Sequence, residues 1–185
     1  MKMIRQARPG DRFEIAKLVY MVWEDMELDM VKAVPKDKIL TAIEKSCVDV
    51  RYRTYYEHIY VYEVDGKIAG CIISYNGKYE LEYEKTWEQL NLPEEFQQYG
   101  TPLPVKEAKD DECYIETIAT FENYRGRGIA TKLLINLLES NTNVKWSLNC
   151  DVNNEAALKL YQKVGFTSDG YIELYKHKYH HLIVK

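Results

Sequence analysis

The chain has no apolar run approaching the length of a membrane span and no apolar leader at its N-terminus. We therefore expect no membrane partner, no export segment and a cytoplasmic protein. Cysteine is sparse. Cys47, Cys71, Cys113 and Cys150 stand far apart without a Cys-x-x-Cys pair, which reads as reduced, mostly buried thiols and argues against a disulfide frame or a zinc site. An excess of positive charge is also missing. The formal net charge is −4, which speaks against a nucleic-acid partner. What is present suits one domain: 185 residues, 46% of them hydrophobic, enough for a real core.

In chain order, residues 3–8 read as a first strand. Pro9-Gly10-Asp11 reads as a turn with Asp11 placed to cap a helix. Apolar residues then recur at Phe13, Ala16, Val19, Trp23 and Met26, the spacing of an amphipathic helix whose far end is acidic. A second helix is expected after Pro35, through Ile39, Ile43 and Val48. Arg51–Tyr56 interleaves arginine with tyrosine and reads as a helix end with packed aromatics. Asp65-Gly66 between apolar runs predicts a hairpin. Residues 79–112 form a long connection that carries ten acids against three lysines from Glu80 onward. It is either an acidic lid that draws in a cationic amine or a solvated insertion. The tail, 171–185, alternates as one or two closing strands. Its His177, His180 and His181 fit edge-strand polar positions better than a metal site, so no metal is expected.

The stretch that organises the chain is Ile115–Lys132. Ile115, Thr117, Ile118 and Thr120 read as a buried strand, followed by a turn into Arg125-Gly126-Arg127-Gly128-Ile129-Ala130 and an amphipathic helix. A glycine-bearing turn onto a helix N-terminus can hold phosphate, because the first amides of the helix are unpaired and its dipole is positive there. No Gly-x-x-x-x-Gly-Lys-Ser/Thr loop occurs, and the third glycine of a dinucleotide fingerprint is absent. Further on, a strand at 144–150 precedes Asn153-Asn154, an amphipathic run containing Ala157, Leu160 and Tyr161, and Gly165-Phe166.

Arg-x-x-Gly-x-Ala at 125–130 resembles the pyrophosphate loop of the GNAT superfamily of acetyl-CoA-dependent N-acetyltransferases. Residues 154–166 resemble its second signature, Asn-x-x-Ala-x-x-Leu-Tyr-x-x-x-Gly-Phe, at every motif position. The two stand in family order, and the resemblance spans the whole chain, weakest at 79–112. It implies a single α/β (α+β) domain over 1–185, a central mixed and mostly antiparallel sheet flanked by helices, with an acidic insertion at about 79–112. It also implies acetyl-CoA bound along Ile118, Ala119 and Thr120, at Arg125, Gly126, Arg127, Gly128, Ile129, Ala130 and Thr131, and by Asn154. Ala130 stands where the family more often has a second glycine. The same resemblance gives Tyr161 the role of protonating the departing thiolate; otherwise Tyr161 is a core aromatic.

Acetyl transfer to an amine needs a group that takes the amine's proton. Glu112 and Glu116 are four apart on one strand and share a face with Tyr114 unless a bulge intervenes. Glu116 is nearer the phosphate turn, and family members often carry an acid there. It is the first choice as base and Glu112 the second; a carboxylate that only binds a cation is the other reading. The expected activity is direct transfer in a ternary complex to a primary amine, with a small cationic acceptor favoured over an acidic one. A protein N-terminus or lysine as acceptor, a CoA-binding sensor without turnover, and an interaction module stay open. Oligomeric state and acyl-chain preference are not legible; a homodimer is compatible with the sequence.

Overall fold

A computed structural model describes the whole chain, Met1–Lys185. Strand β1 (Lys2–Gln6) leads through a 3-10 turn into helices α1 (Arg12–Asp25), α2 (Asp29–Ala33) and α3 (Lys36–Ser46), then strands β2 (Ile59–Val64) and β3 (Lys67–Asn76). The insertion carries α4 (Glu80–Lys85) and several 3-10 turns. Strand β4 (Glu112–Thr120), helix α5 (Ile129–Ser140), β5 (Lys145–Asp151), α6 (Glu155–Val164), β6 (Thr167–Leu174) and β7 (His177–Val184) complete the chain. One seven-stranded sheet has the order β1-β2-β3-β4-β5-β7-β6. Every neighbouring pair is antiparallel except β4 with β5. The expected mixed, mostly antiparallel sheet flanked by helices is present. No helix is long and apolar enough to cross a membrane.

Helices cover both faces because each presents an apolar stripe to the sheet. On one side Leu18 and Trp23 of α1 and Ile39 and Ile43 of α3 meet Ile59, Val61 and Ile73. On the other, Leu133, Leu134 and Leu137 of α5 meet Ile72, Ile115 and Leu148, with α6 packed at the margin. The Asp65-Gly66 hairpin forms as expected, with φ of 48° and 79°. The β6–β7 turn uses the same left-handed region without glycine, at Tyr175 (φ 51°) and Lys176 (φ 67°), a conformation that side chains disfavour.

Three expectations are corrected. Asp11 makes no side-chain cap to α1; its carboxylate accepts from Arg5 Nη1 and Nη2 at 2.8 and 3.0 Å and from the Arg8 amide at 2.7 Å, tying β1 to the turn. Helix α2, too short for a periodic signal, stands between the two expected helices. Strand β7 lies inside the sheet, between β5 and β6, so His181 is a buried group rather than an edge-strand one.

Strands β4 and β5 pair only through Glu112–Lys145, Cys113–Trp146 and Tyr114–Ser147. Beyond that point they part. On its other side β4 opposes Thr117 to Ile73 and Ile115 to Ser74, so Glu116 is an extra residue at a bulge. The bulge falls after the Glu112–Tyr114 segment. The cleft between β4 and β5 opens there, beside Glu116.

Candidate active site

At the end of β4 the amide of Phe121 bonds the carbonyl of Ala69 on β3. Backbone groups alternate along a strand, so those of Ile118 and Thr120 point into the cleft. Gly126 (φ 75°) and Gly128 (φ 72°) both occupy the left-handed region, with open space where a Cβ would stand. Glycine is required there by backbone angle, not by crowding. The first backbone bond of α5 runs from the Lys132 amide to the Gly128 carbonyl. The amides of Ile129, Ala130 and Thr131 precede it and have no protein partner. Arg125 reaches back to the Thr120 carbonyl at 3.3 Å and Arg127 to the Asn123 carbonyl at 3.1 Å, both exposed. A cationic, glycine-shaped turn with three free amides fits a pyrophosphate.

Glu116 lies under the insertion. Its side chain is 6% exposed, accepts from the Tyr75 hydroxyl at 3.0 Å, and lies 3.5 Å from Arg53 Nη1. Burial pushes its carboxyl up to about 7; Arg53 and the Tyr75 hydrogen bond pull the other way. Arg53 is itself fully buried and also contacts Glu80, Glu84 and Glu107 of the insertion at 2.9, 2.5 and 3.0 Å. Four carboxyls therefore share one guanidinium.

Glu112 is already engaged. It accepts from the Lys109 amide at 2.9 Å and meets His181 Nε2 at 3.0 Å, with Lys145 Nζ 3.7 Å away. Burial raises its carboxyl, but the hydrogen bonds from His181 and the Lys109 amide outweigh it and hold the group below its usual value. His181 Nδ1 donates to Asn149 Oδ1 at 2.7 Å, an orientation fixed because Asn149 Nδ2 donates to the Glu107 carbonyl at 3.1 Å. Asp169 brings a third donor within 4.8 Å of Glu112 and His181. Yet Asp169 is paired with Lys109 at 2.6 Å, and Glu112 and His181 are bonded to each other, so these donors serve one another.

Tyr161 of α6 is half-buried beside the core cluster under α5, its ring 6.1 Å from Phe166. Burial, then Cys150, pushes its hydroxyl up, so it stays protonated at neutral pH. Asn154 caps α6 through the Ala157 amide at 3.1 Å. On the insertion side a groove of about 350 Å³ lies between the α1–α2 turn (Glu27, Asp29), Tyr99, Pro102 and the β6–β7 turn (Tyr175, Lys176). Lys176–Asp29 and His177–Glu27 face each other across it at 3.9 Å. Its wall adjoins the buried cluster, since Arg53 Nη2 donates to the Leu103 carbonyl at 2.6 Å and Tyr175 takes the Val105 amide at 3.2 Å.

The sequence model of the acetyltransferase (GNAT) family matches residues 20–166. The chain belongs to the GNAT acetyltransferase family. An N-acetyltransferase from Staphylococcus aureus Mu50 is 79% identical, with 98% of this chain and 100% of that one covered and a TM-score of 0.97. The Salmonella typhimurium protein yncA, solved with its cofactor acetyl-CoA, shares the fold at 14% identity and a TM-score of 0.61, covering 100% of this chain and 94% of that one. Among curated proteins, N-alpha-acetyltransferase 30 of Schizosaccharomyces pombe is 36% identical over 67 residues, 35% of this chain and 43% of that protein. The chain spans less than half the length of the curated relatives it matches.

In this GNAT chain the residues singled out in the sequence lie on three elements, β4, the start of α5, and α6. Ile118 and Thr120 belong to β4, Gly126–Thr131 lead into α5, Tyr161 and Asn154 belong to α6, and Glu116 sits at the bulge. Ala119 differs: its side chain turns into the core against α1 and α3. Two readings change. Arg51–Tyr56 is not a set of packed aromatics alone, because Arg53 is the buried hub of the acidic cluster. Nor is the insertion simply solvated, because Glu80, Glu84 and Glu107 are buried on that hub. Sequence reasoning missed Arg53 and Glu107; the acids crowded into 80–112 were the signal, but their buried partner was not visible.

Proposed function

We propose that the protein transfers an acetyl group from acetyl-CoA to a primary amine, with a small cationic molecule as acceptor. Glu116 carries the reading: a buried carboxyl that ionises near neutral pH, at the point where the cleft opens. Acetyl-CoA supplies the activated acetyl thioester. The free amides of Ile129, Ala130 and Thr131, with Arg125 and Arg127, fit its pyrophosphate, and the backbone of Ile118 and Thr120 fits its pantetheine arm.

Above about pH 7 Glu116 is ionised and accepts one proton from the acceptor's ammonium. The freed lone pair attacks the thioester carbon and the carbon–sulfur bond breaks. Tyr161 gives its proton to the departing sulfur, and the second proton shed by the nitrogen restores Tyr161 through solvent. Glu112, held by His181 and the Lys109 amide, is the weaker candidate for the base. The acidic surroundings of Glu116, together with Glu27 and Asp29 in the adjoining groove, support a cationic acceptor. The groove volume is near the low end of the usual ~300–1,000 Å³ for small-molecule sites. Four free thiols, three of them buried, fit a reducing compartment such as the cytoplasm.

The test is thiol release from acetyl-CoA against a panel of diamines, amino sugars, amino acids and peptides, with acetyl-CoA affinity measured by calorimetry. Turnover confined to small cationic amines is expected. Turnover on peptides alone would replace the acceptor class, and binding without turnover on any amine would overturn the enzyme.

A further inference from the structure

Arg53 is the buried group with the most crowded surroundings. Its Nε donates to Glu84 at 2.5 Å and its Nη2 to the Leu103 carbonyl at 2.6 Å. Nη1 has two N–H groups but faces four oxygens: the Tyr75 hydroxyl at 2.9 Å, Glu80 at 2.9 Å, Glu107 at 3.0 Å and Glu116 at 3.5 Å. These four are not equivalent. Glu80 also accepts the amides of Glu107 and Ala108 at 2.8 and 3.0 Å, as Glu84 on Nε accepts the Leu103 amide at 2.7 Å, so backbone donors hold both in place. Glu107 and Glu116 have no backbone donor. They compete for the same N–H groups, and Glu107 is the nearer.

We infer that Glu107 is a positioning residue for acetyl transfer: by occupying Arg53 Nη1 it keeps the guanidinium from closing on Glu116. The base is left loosely paired and able to take the acceptor's proton. This rests on Glu116 being the base. The groups that face Glu116 are Tyr52 and Arg53 from the segment before β2, Tyr75 from β3, Glu80 and Glu84 from the start of the insertion, Glu107 from its end, and Tyr114 on its own strand. Among them Arg53 is the cation, so its distance from Glu116 decides how readily that carboxylate is protonated. Glu107 is held in place from both sides of its backbone, by Glu80 at its amide and by Asn149 at its carbonyl. Burial pushes the Glu107 carboxyl well above the usual carboxylate range. Its hold on Nη1 therefore works through an acceptor oxygen and needs no charge, as an amide oxygen also could.

The experiment is the pH dependence of kcat/KM, with acetyl-CoA affinity by calorimetry as the control for folding. Glu107→Ala removes the competing oxygen. Nη1 then closes on Glu116 and the acidic limb moves to lower pH by about one unit. Glu107→Gln keeps an oxygen on Nη1 and recovers most of that shift. A Glu107→Ala enzyme that loses rate with its limb in place would make the residue merely structural and overturn the proposal. Equal downward shifts in Ala and Gln would assign the effect to a charge on Glu107 and overturn it as well. If Glu107→Ala no longer binds acetyl-CoA, Glu107→Met, which fills the space without an acceptor, is measured instead. The base itself is tested separately: a Glu116→Gln enzyme with the wild-type profile removes that reading whatever the Glu107 variants do.

Discussion

Glu116 holds a charge where burial opposes one, and this has consequences for stability as well as rate. Its carboxyl is raised from the usual 4.5 to about 7 in the folded chain. Between those values the folded state binds more protons than the unfolded state. The stabilisation is therefore present in full at lower pH and is lost as pH climbs through about 7, an effect on the order of 3 kcal/mol for a rise of that size. Glu116→Gln should raise the melting temperature at pH 8 relative to wild type and change it little at pH 5, with thermal denaturation as the check. The same substitution should lower kcat/KM by about 10²-fold or more. Tyr161→Phe should lower kcat by roughly 10- to 100-fold with acetyl-CoA affinity unchanged, measured by steady-state kinetics beside calorimetry. An unaltered kcat would return Tyr161 to its packing role against Phe166.

At the scale of elements, the insertion and the phosphate turn are built on opposite logics. The insertion is pinned by charge: Arg53 takes up Glu80, Glu84 and Glu107 in one buried cluster. The turn before α5 depends on backbone angle. Gly128→Ala adds no clash, since nothing lies within 4 Å of the new methyl, but forces a side chain into the left-handed region at about 1–2 kcal/mol. A lower melting temperature and weaker acetyl-CoA binding are expected, read by denaturation and calorimetry. This contrast also explains what the sequence disclosed. The turn, Tyr161 and Asn154 are local patterns, with every member within about a dozen neighbours. Glu116 was legible as an acid on the strand that leads into the phosphate turn, whereas the bulge that interrupts its alternation with Tyr114 was not. Arg53 and Glu107 stand 54 residues apart, and nothing in either neighbourhood announces the other. The β7 position of His181 was illegible for the same reason, because strand order rests on pairings distant in sequence. Glu112, the second choice as base in the sequence, proves to be occupied by His181.

For the whole molecule, the uneven spread of charge has a structural cause. The connection from Glu80 to Glu112 carries a formal −7 and leaves the rest of the chain at +3. Part of that negative charge is buried beside Glu116, while Arg125 and Arg127 are exposed on the phosphate turn. An anionic carrier and a cationic acceptor would therefore be drawn to different mouths of one cleft. The cleft exists because β4 and β5 share only three residue pairs. The sheet is thus two leaves, β1–β4 and β5–β7, joined along a short spine, and a ligand lying between them would act as a splint. Amide hydrogen exchange should report this. Acetyl-CoA should slow exchange in Leu148–Asp151 and in the strands behind it, far beyond the residues it touches, while the β1–β2 edge keeps its own rate. Protection confined to the 125–131 turn would mean that the two leaves already breathe as one.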